Sequence, residues 1–139
     1  MSVFTLHPRL QADTLFVGDL PLCTVRLMNH RAYPWLILIP RREGVSELHQ
    51  LNEPDQHQLL VESAQVSKVL EELFQPDKLN VAALGNVVPQ FHWHIVARFK
   101  GDAAWPGPVW GHEEYSKYAA DEKEALILQL QCALFPSKG

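Results

Sequence analysis

Apolar and polar residues change their period along this chain, and each change marks an element. Residues 4–12 suit a short helical entry, with Pro8 tolerated in its first turn. Thr14 to Leu20 then reads as a strand that ends at Pro21. Cys23 to Met28 alternates and reads as a second strand, closed by the turn-forming run Asn29, His30, Arg31. Pro34 to Ile39 is almost continuously apolar, as a central strand buried on both faces should be, and it stops at Pro40. The pattern then shifts to helical spacing. Leu59, Val66, Val69, Leu70, Leu73 and Phe74 fall on one side of a long helix. Asn52 caps that helix, Glu53 and Asp55 suit its positive end, and Pro76-Asp77 ends it. Leu79 to Leu84 predicts another strand, Gly85 to Pro89 a loop, and Phe91 to Phe99 a further strand. A last helix is expected from about Asp121 to Leu134, in a run of good helix formers. Strands first, one long helix, two strands and a closing helix predict a single α+β domain over residues 1–139, built on an antiparallel sheet.

The segment from 90 to 99 carries the candidate chemistry. Side chains alternate faces along a strand, so Phe91, Trp93, Ile95, Ala97 and Phe99 suit a core, while Gln90, His92 and His94 form a polar row on the other face. Steps of roughly 6.5–7 Å along that row let two imidazoles reach one phosphate. A neutral imidazole nitrogen can attack phosphorus and divide one displacement into two easier ones. The second histidine, if protonated, can stabilise charge on a phosphate oxygen or help the leaving group depart. The loop Gly85 to Pro89 can add backbone N–H groups and the Asn86 amide. Read without further context, a His-x-His pair on a strand is equally a surface pair or part of a metal site. Here it gives only two ligands; His7, His49, His57 and His112 would complete a zinc set only by an accident of folding, so no metal is expected.

Composition narrows the field. With 47% hydrophobic and 20% charged residues, the chain reads as an ordinary globular domain. A net charge of -4 and the lack of a basic cluster argue against nucleic acid as a partner, since several phosphates would need neutralising, while a small anion remains within reach. No apolar run approaches the roughly 20 residues of a membrane span, and the first residues lack the pattern of an export signal, so a cytoplasmic location is expected. Cys23 and Cys132 fit neither a metal motif nor a disulfide framework, and both are expected to be buried thiols among apolar neighbours.

The stretch Asn80 to Phe99, with Gln90-Phe91-His92-Trp93-His94-Ile95-Val96 at its heart, resembles the histidine-triad motif His-φ-His-φ-His-φ-φ, where φ is apolar. The resemblance extends upstream through Leu27-Met-Asn-His30, Pro34 to Arg42 and the long helix, and covers roughly residues 14–99. It implies a nucleotide hydrolase or nucleotidyl transferase acting on dinucleoside polyphosphates, nucleoside phosphoramidates or related compounds, without a cofactor. By position it implies that His92 is the nucleophile and that His94 contacts the phosphate and leaving group. It further implies that Asn29 binds the ribose, that Asn86 lies beside the phosphate, and that the protein is a homodimer. The aromatic segment Trp105 to Trp110 is a candidate subunit contact, or else folds back over its own domain. Two positions depart from the family. Gln90 stands for the first histidine of the triad, and Trp35 for a histidine that many relatives carry before the central strand, at a position also expected near the substrate. Because these positions adjoin in the family, the departures are expected to be a matched pair. The alternatives are a nucleotide-binding module with little turnover and a metal-binding protein using His92 and His94.

Overall fold

The computed structural model describes residues 4–112 and 115–136 of the chain. A short helix α1 (Pro8–Asp13) leads into strands β1 (Thr14–Asp19), β2 (Cys23–Met28) and β3 (Trp35–Pro40). The long helix α2 (Glu53–Phe74) follows, then β4 (Lys78–Ala82), β5 (Trp93–Arg98) and a closing helix α3 (Ala120–Leu134). The five strands form one sheet in the order β1-β2-β3-β5-β4, with every neighbouring pair antiparallel. The expected α+β architecture is the one found, with strand limits displaced by one or two residues. The largest displacement bears on the site: β5 begins at Trp93, so Gln90 and His92 stand in the extended lead-in rather than in the ladder.

Local chemistry explains where the helices begin and end. Asn52 Oδ1 accepts the Asp55 N–H at 2.9 Å and caps α2, with Pro54 and two acidic residues in its first turn. The helix stops at Gln75, whose φ of 52° is left-handed, just before Pro76. One polar group on the buried face of α2 also binds it to the sheet. The Glu62 carboxylate is fully buried and accepts the Leu22 and Cys23 N–H groups, each at 2.8 Å, at the start of β2. Those bonds satisfy a charge whose burial would otherwise be costly.

Pairing register decides which side chains share a face. Leu36 lies opposite Ile95 and faces α2; Ile37 lies opposite His94 and Trp35 opposite Val96, both on the other side. The first face is the larger core, in which Val25, Leu27, Leu36, Leu38 and Ile95 meet Leu59, Val66 and Leu70 of α2 and Leu130 of α3. Phe91 joins this core and Trp93 packs on it, its indole N–H donating to Ser63 Oγ at 3.0 Å, as the alternation of residues 91–99 predicts. α3 closes the far end of this layer. Gln131 Nε2 donates to the Val17 carbonyl, and the Phe135 ring lies so close over Gly18 that any side chain there would collide with it.

The expectation for the cysteines needs one correction. Cys23 is buried, and burial, reinforced by the neighbouring Glu62 carboxylate, raises its thiol well above the ordinary value and leaves it inert. Cys132 is exposed. Its apolar sequence neighbours Leu130, Ala133 and Leu134 pack inward, but a residue two positions from Leu130 projects from the opposite side of a helix.

Candidate active site

The second face of the sheet holds the histidines, and it too is covered. Trp35, Ile37, Ile39 and Val96 form a smaller core with Leu10 of α1, Tyr33, Val88 and Val109. The segment after β5 supplies the cover. It is anchored by Arg98, which is 1% exposed and continues the row of His94 and Val96. Its guanidinium donates to both carboxylate oxygens of Asp102 at 2.8 and 3.0 Å, to Asn80 Oδ1 on β4 at 2.8 Å and to the Gly107 carbonyl at 2.8 Å. It also lies over the rings of Tyr33 and Trp105. Asp102 in turn accepts the Phe99 and Trp105 N–H groups. The Arg98 hydrogen bonds, followed by those backbone donors, hold its carboxyl below the usual range. This buried pair folds residues 99–110 back over their own sheet. Val109 becomes part of the core, and Trp110 stands edge-on to both Trp35 and His94, with ring centroids 5.9 and 5.3 Å away.

Under that cover the rings of His92 and His94 lie edge to face, 4.8 Å between centroids, and are 8% and 4% exposed. Each is oriented through its Nδ1, but in opposite senses. His92 Nδ1 lies 2.7 Å from the Gln90 carbonyl. A carbonyl only accepts, so this nitrogen carries the proton and Nε2 keeps a free lone pair. His94 Nδ1 lies 3.0 Å from the Trp35 indole nitrogen. An indole N–H only donates, so here Nδ1 accepts and the proton sits on Nε2. The site therefore sets a basic nitrogen beside a neutral N–H donor. Burial, more than any neighbour, holds both rings uncharged. It lowers His92 below 6.5, against the Gln90 carbonyl that favours the charged form, and it lowers His94 to about 3, with His92 adding to the effect. Of the two protonation states open to His94, burial favours the neutral one.

These features agree with comparisons across known proteins. The sequence model of the HIT domain matches residues 9–101. The chain belongs to the histidine-triad family. A histidine triad protein from Bradyrhizobium japonicum is 46% identical, with a TM-score of 0.94, over 96% of this chain and 100% of that one. One from Marinobacter aquaeolei is 47% identical, with a TM-score of 0.93, over 96% and 97%. One from Sinorhizobium meliloti is 41% identical, with a TM-score of 0.89, over 91% and 94%. No curated protein matches the chain.

Within this histidine-triad fold the sequence-predicted residues separate. His92, His94 and Trp35 come together. Gln90 is adjacent in the chain, and its side chain bonds the backbone of Thr5 and His7. The Gln90 and Trp35 side chains thus hydrogen-bond to different partners, and among the described residues the expected matching has no shared hydrogen bond behind it. Asn29 Oδ1 accepts the Tyr118 N–H at 3.0 Å and so ties the approach to α3 against the end of β2. Asn86 is exposed on the loop that follows Gly85, whose φ of 80° favours glycine. The neighbouring Val87 borders an open cleft of about 570 Å³, which is also lined by Met28, His30, Trp35, Trp110 and Tyr115. A volume of that size accommodates a small ligand. Among the described residues, no group of three or more His, Cys, Asp or Glu is placed to hold a metal ion.

Sequence reasoning missed Arg98 and Asp102, and of its two alternatives for the Trp105–Trp110 segment the fold-back over its own domain describes the contact of Trp110 with His94. Arg98 left a signal: it sits in phase with His92 and His94, where a charge is buried only if paired, and an acid follows four residues later. His30, buried against Tyr33, Trp35 and Tyr115, showed in the sequence only as a turn residue at the end of the stretch Leu27 to His30 that carries the resemblance.

Proposed function

We propose that this protein is a nucleotide hydrolase or nucleotidyl transferase whose substrates are nucleoside phosphoramidates or dinucleoside polyphosphates, and that it works through a nucleotidyl-His92 intermediate. The observation that carries this reading is the bond from His92 Nδ1 to the Gln90 carbonyl, which leaves an uncharged ring with its Nε2 lone pair free. Nε2 attacks phosphorus, the bond to the leaving group breaks, and that group departs with the bonding electron pair and takes a proton from water. Water or another acceptor then attacks the same phosphorus and gives up its proton to the solvent, while the breaking P–N bond returns its pair to His92. The His94 Nε2–H is a fixed donor for charge on the phosphate oxygens through both displacements. The Trp110 N–H, buried and without a partner among the described residues, supplies a further donor at the same place. The cleft beside Trp35 and Trp110 receives the nucleoside.

Two-fold dimerisation and a cytoplasmic setting belong to the same proposal. Apolar side chains exposed on α2 (Leu60, Val61) and on the edge strand β4 (Val81) support the dimer. Sedimentation equilibrium at micromolar concentration should give twice the mass of one chain; the mass of a single chain removes it. The function is tested by a panel of adenosine phosphoramidates and diadenosine polyphosphates, run on wild type and His92→Ala together. Turnover by the wild type that is lost in the variant is expected. Equal turnover by both, or none by either, contradicts the proposal.

A further inference from the structure

The cleft beside the histidines has walls and polar groups of different chemistry. Trp35, Trp110, His30 and Tyr115 line it with rings. Trp35 also donates to His94 Nδ1, and the Trp110 ring lies 5.3 Å from the His94 ring, so a nucleoside held on these rings keeps its phosphate near the histidines. Stacking on such rings accepts any base, because every base has a π-face. Selection among bases therefore falls to the polar side chains that share the cleft.

Arg9, Asp13, His112 and Lys117 are those side chains, and Asp13 is the one carboxylate among the described residues that line the cleft. Arg9 and Asp13 stand one turn apart on α1, on the same side of the helix. Arg9 Nε lies 3.6 Å from Asp13 Oδ2, an ion pair too long for a hydrogen bond, and both side chains are exposed to solvent. The pair is loose and leaves both groups able to bond a ligand. In the same cleft, the Tyr115 hydroxyl is pushed above its ordinary value by burial and, next, by the Asp13 charge, as expected of two groups on one cavity.

A carboxylate only accepts, so it suits a base that offers two adjacent donors. Guanine is the one common base that does: N1–H and N2–H lie side by side on its Watson–Crick edge, next to the O6 acceptor. Adenine and cytosine set a ring-nitrogen acceptor beside their amino donor, and uracil flanks its N–H with carbonyls. Each of these turns a lone pair toward one carboxylate oxygen. We propose that Asp13 selects guanine in this cleft, its two oxygens accepting N1–H and N2–H while Arg9 donates to O6. A row of donor, acceptor, acceptor on α1 then meets acceptor, donor, donor on the base. The substrates are accordingly guanosine phosphoramidates or guanosine-containing dinucleoside polyphosphates. This inference rests on the reading of the cleft as the nucleoside site, and the experiment keeps the two separable.

Guanosine, inosine and adenosine 5′-monophosphates are titrated into the wild-type protein by calorimetry. The guanosine nucleotide should bind about 10- to 100-fold more tightly than the adenosine one, the range of one bidentate base contact. The inosine nucleotide, which lacks only the N2 amino group, should fall between them. Asp13→Asn replaces one acceptor with a donor at an exposed position, so it should fold as the wild type does and bring the guanine-to-adenine ratio down to about 1 or below. Equal wild-type affinity for the guanosine and adenosine nucleotides overturns the proposal while leaving the functional reading intact, as does a guanine preference that persists in Asp13→Asn. Binding of none of the three removes the cleft as a nucleoside site and the inference with it. A second arm compares kcat/KM on guanosine and adenosine phosphoramidates, where the same preference is expected in the wild type and its loss in Asp13→Asn. A guanine preference in binding with turnover of neither phosphoramidate supports the selection by Asp13 and counts against the proposed function.

Discussion

The two faces of the sheet are built on the same strands and held by different physics. Toward α2 and α3, Leu36, Leu38 and Ile95 pack against Leu59, Val66, Leu70 and Leu130, and the polar groups buried there, such as Glu62, bind helix to strand. That face is stabilised chiefly by apolar area removed from water. Toward the histidines the cover is the irregular segment after β5, joined by Leu10 of the short helix α1. It is held by Arg98 and Asp102, by backbone carbonyls and by four indole or imidazole rings in tilted or edge-to-face contact. The first face sets stability; the second also fixes tautomers. Damage to either should therefore cost stability, but only damage to the second should cost activity per folded molecule.

Substitutions of similar energetic size sharpen that contrast. Asp102→Ala strands a buried guanidinium and should destabilise the fold by about 3–5 kcal/mol. It should also lower kcat/KM in the molecules that remain folded, because the Trp105–Trp110 segment loses its anchor. Leu70→Ala leaves a cavity under the opposite face and should cost about 2–5 kcal/mol with kcat/KM unchanged. Denaturant unfolding and kinetics below each transition measure both quantities, and equal kinetic damage from the two variants breaks the comparison. The anchor also has a pH signature. Asp102 is depressed below 3.8 in the fold, so its stabilisation is complete above that value and is lost as pH falls through the lowered one. Asp102→Ala should flatten the acid edge of the stability curve.

His94→Ala removes a preorganised donor and should lower kcat about 10²–10³-fold while still forming adduct on His92. Undiminished activity takes His94 out of the site. A smaller effect is expected from Trp35→Phe, which removes the indole N–H and leaves the ring stacking largely in place. Freed of that donor, His94 Nδ1 can take a proton, and the His94 midpoint should rise from about 3 toward, but not reach, 6.5, since burial persists. An NMR titration that finds the midpoint unmoved contradicts the account of how the tautomer is set.

The same contrast explains what could be read in the sequence. The helix-covered face follows from periodicity, because helical spacing from Leu59 to Leu70 and alternation from Phe91 to Ile95 report burial directly. The His92 and His94 pair is legible from alternation and from its resemblance to a motif. What holds the pair is not. Whether Gln90 meets Trp35 or the backbone near His7, and whether Trp110 faces a partner or His94, depends on hydrogen bonds between segments far apart in sequence. Neither propensity nor period encodes those. Asn29, read from the resemblance as a ribose contact, accepts the Tyr118 N–H at its Oδ1, a bond with no sign in the sequence.

The central claim is that burial and the Gln90 carbonyl keep His92 a neutral nucleophile with Nε2 free. Its most direct test is rapid quench of wild-type protein mixed with an adenosine phosphoramidate, followed by intact-mass and peptide analysis. The expected result is an adenylate-sized mass increase carried by the peptide containing His92 and absent from His92→Ala. Turnover with no adduct at any quench time, or an adduct on another residue, would contradict it.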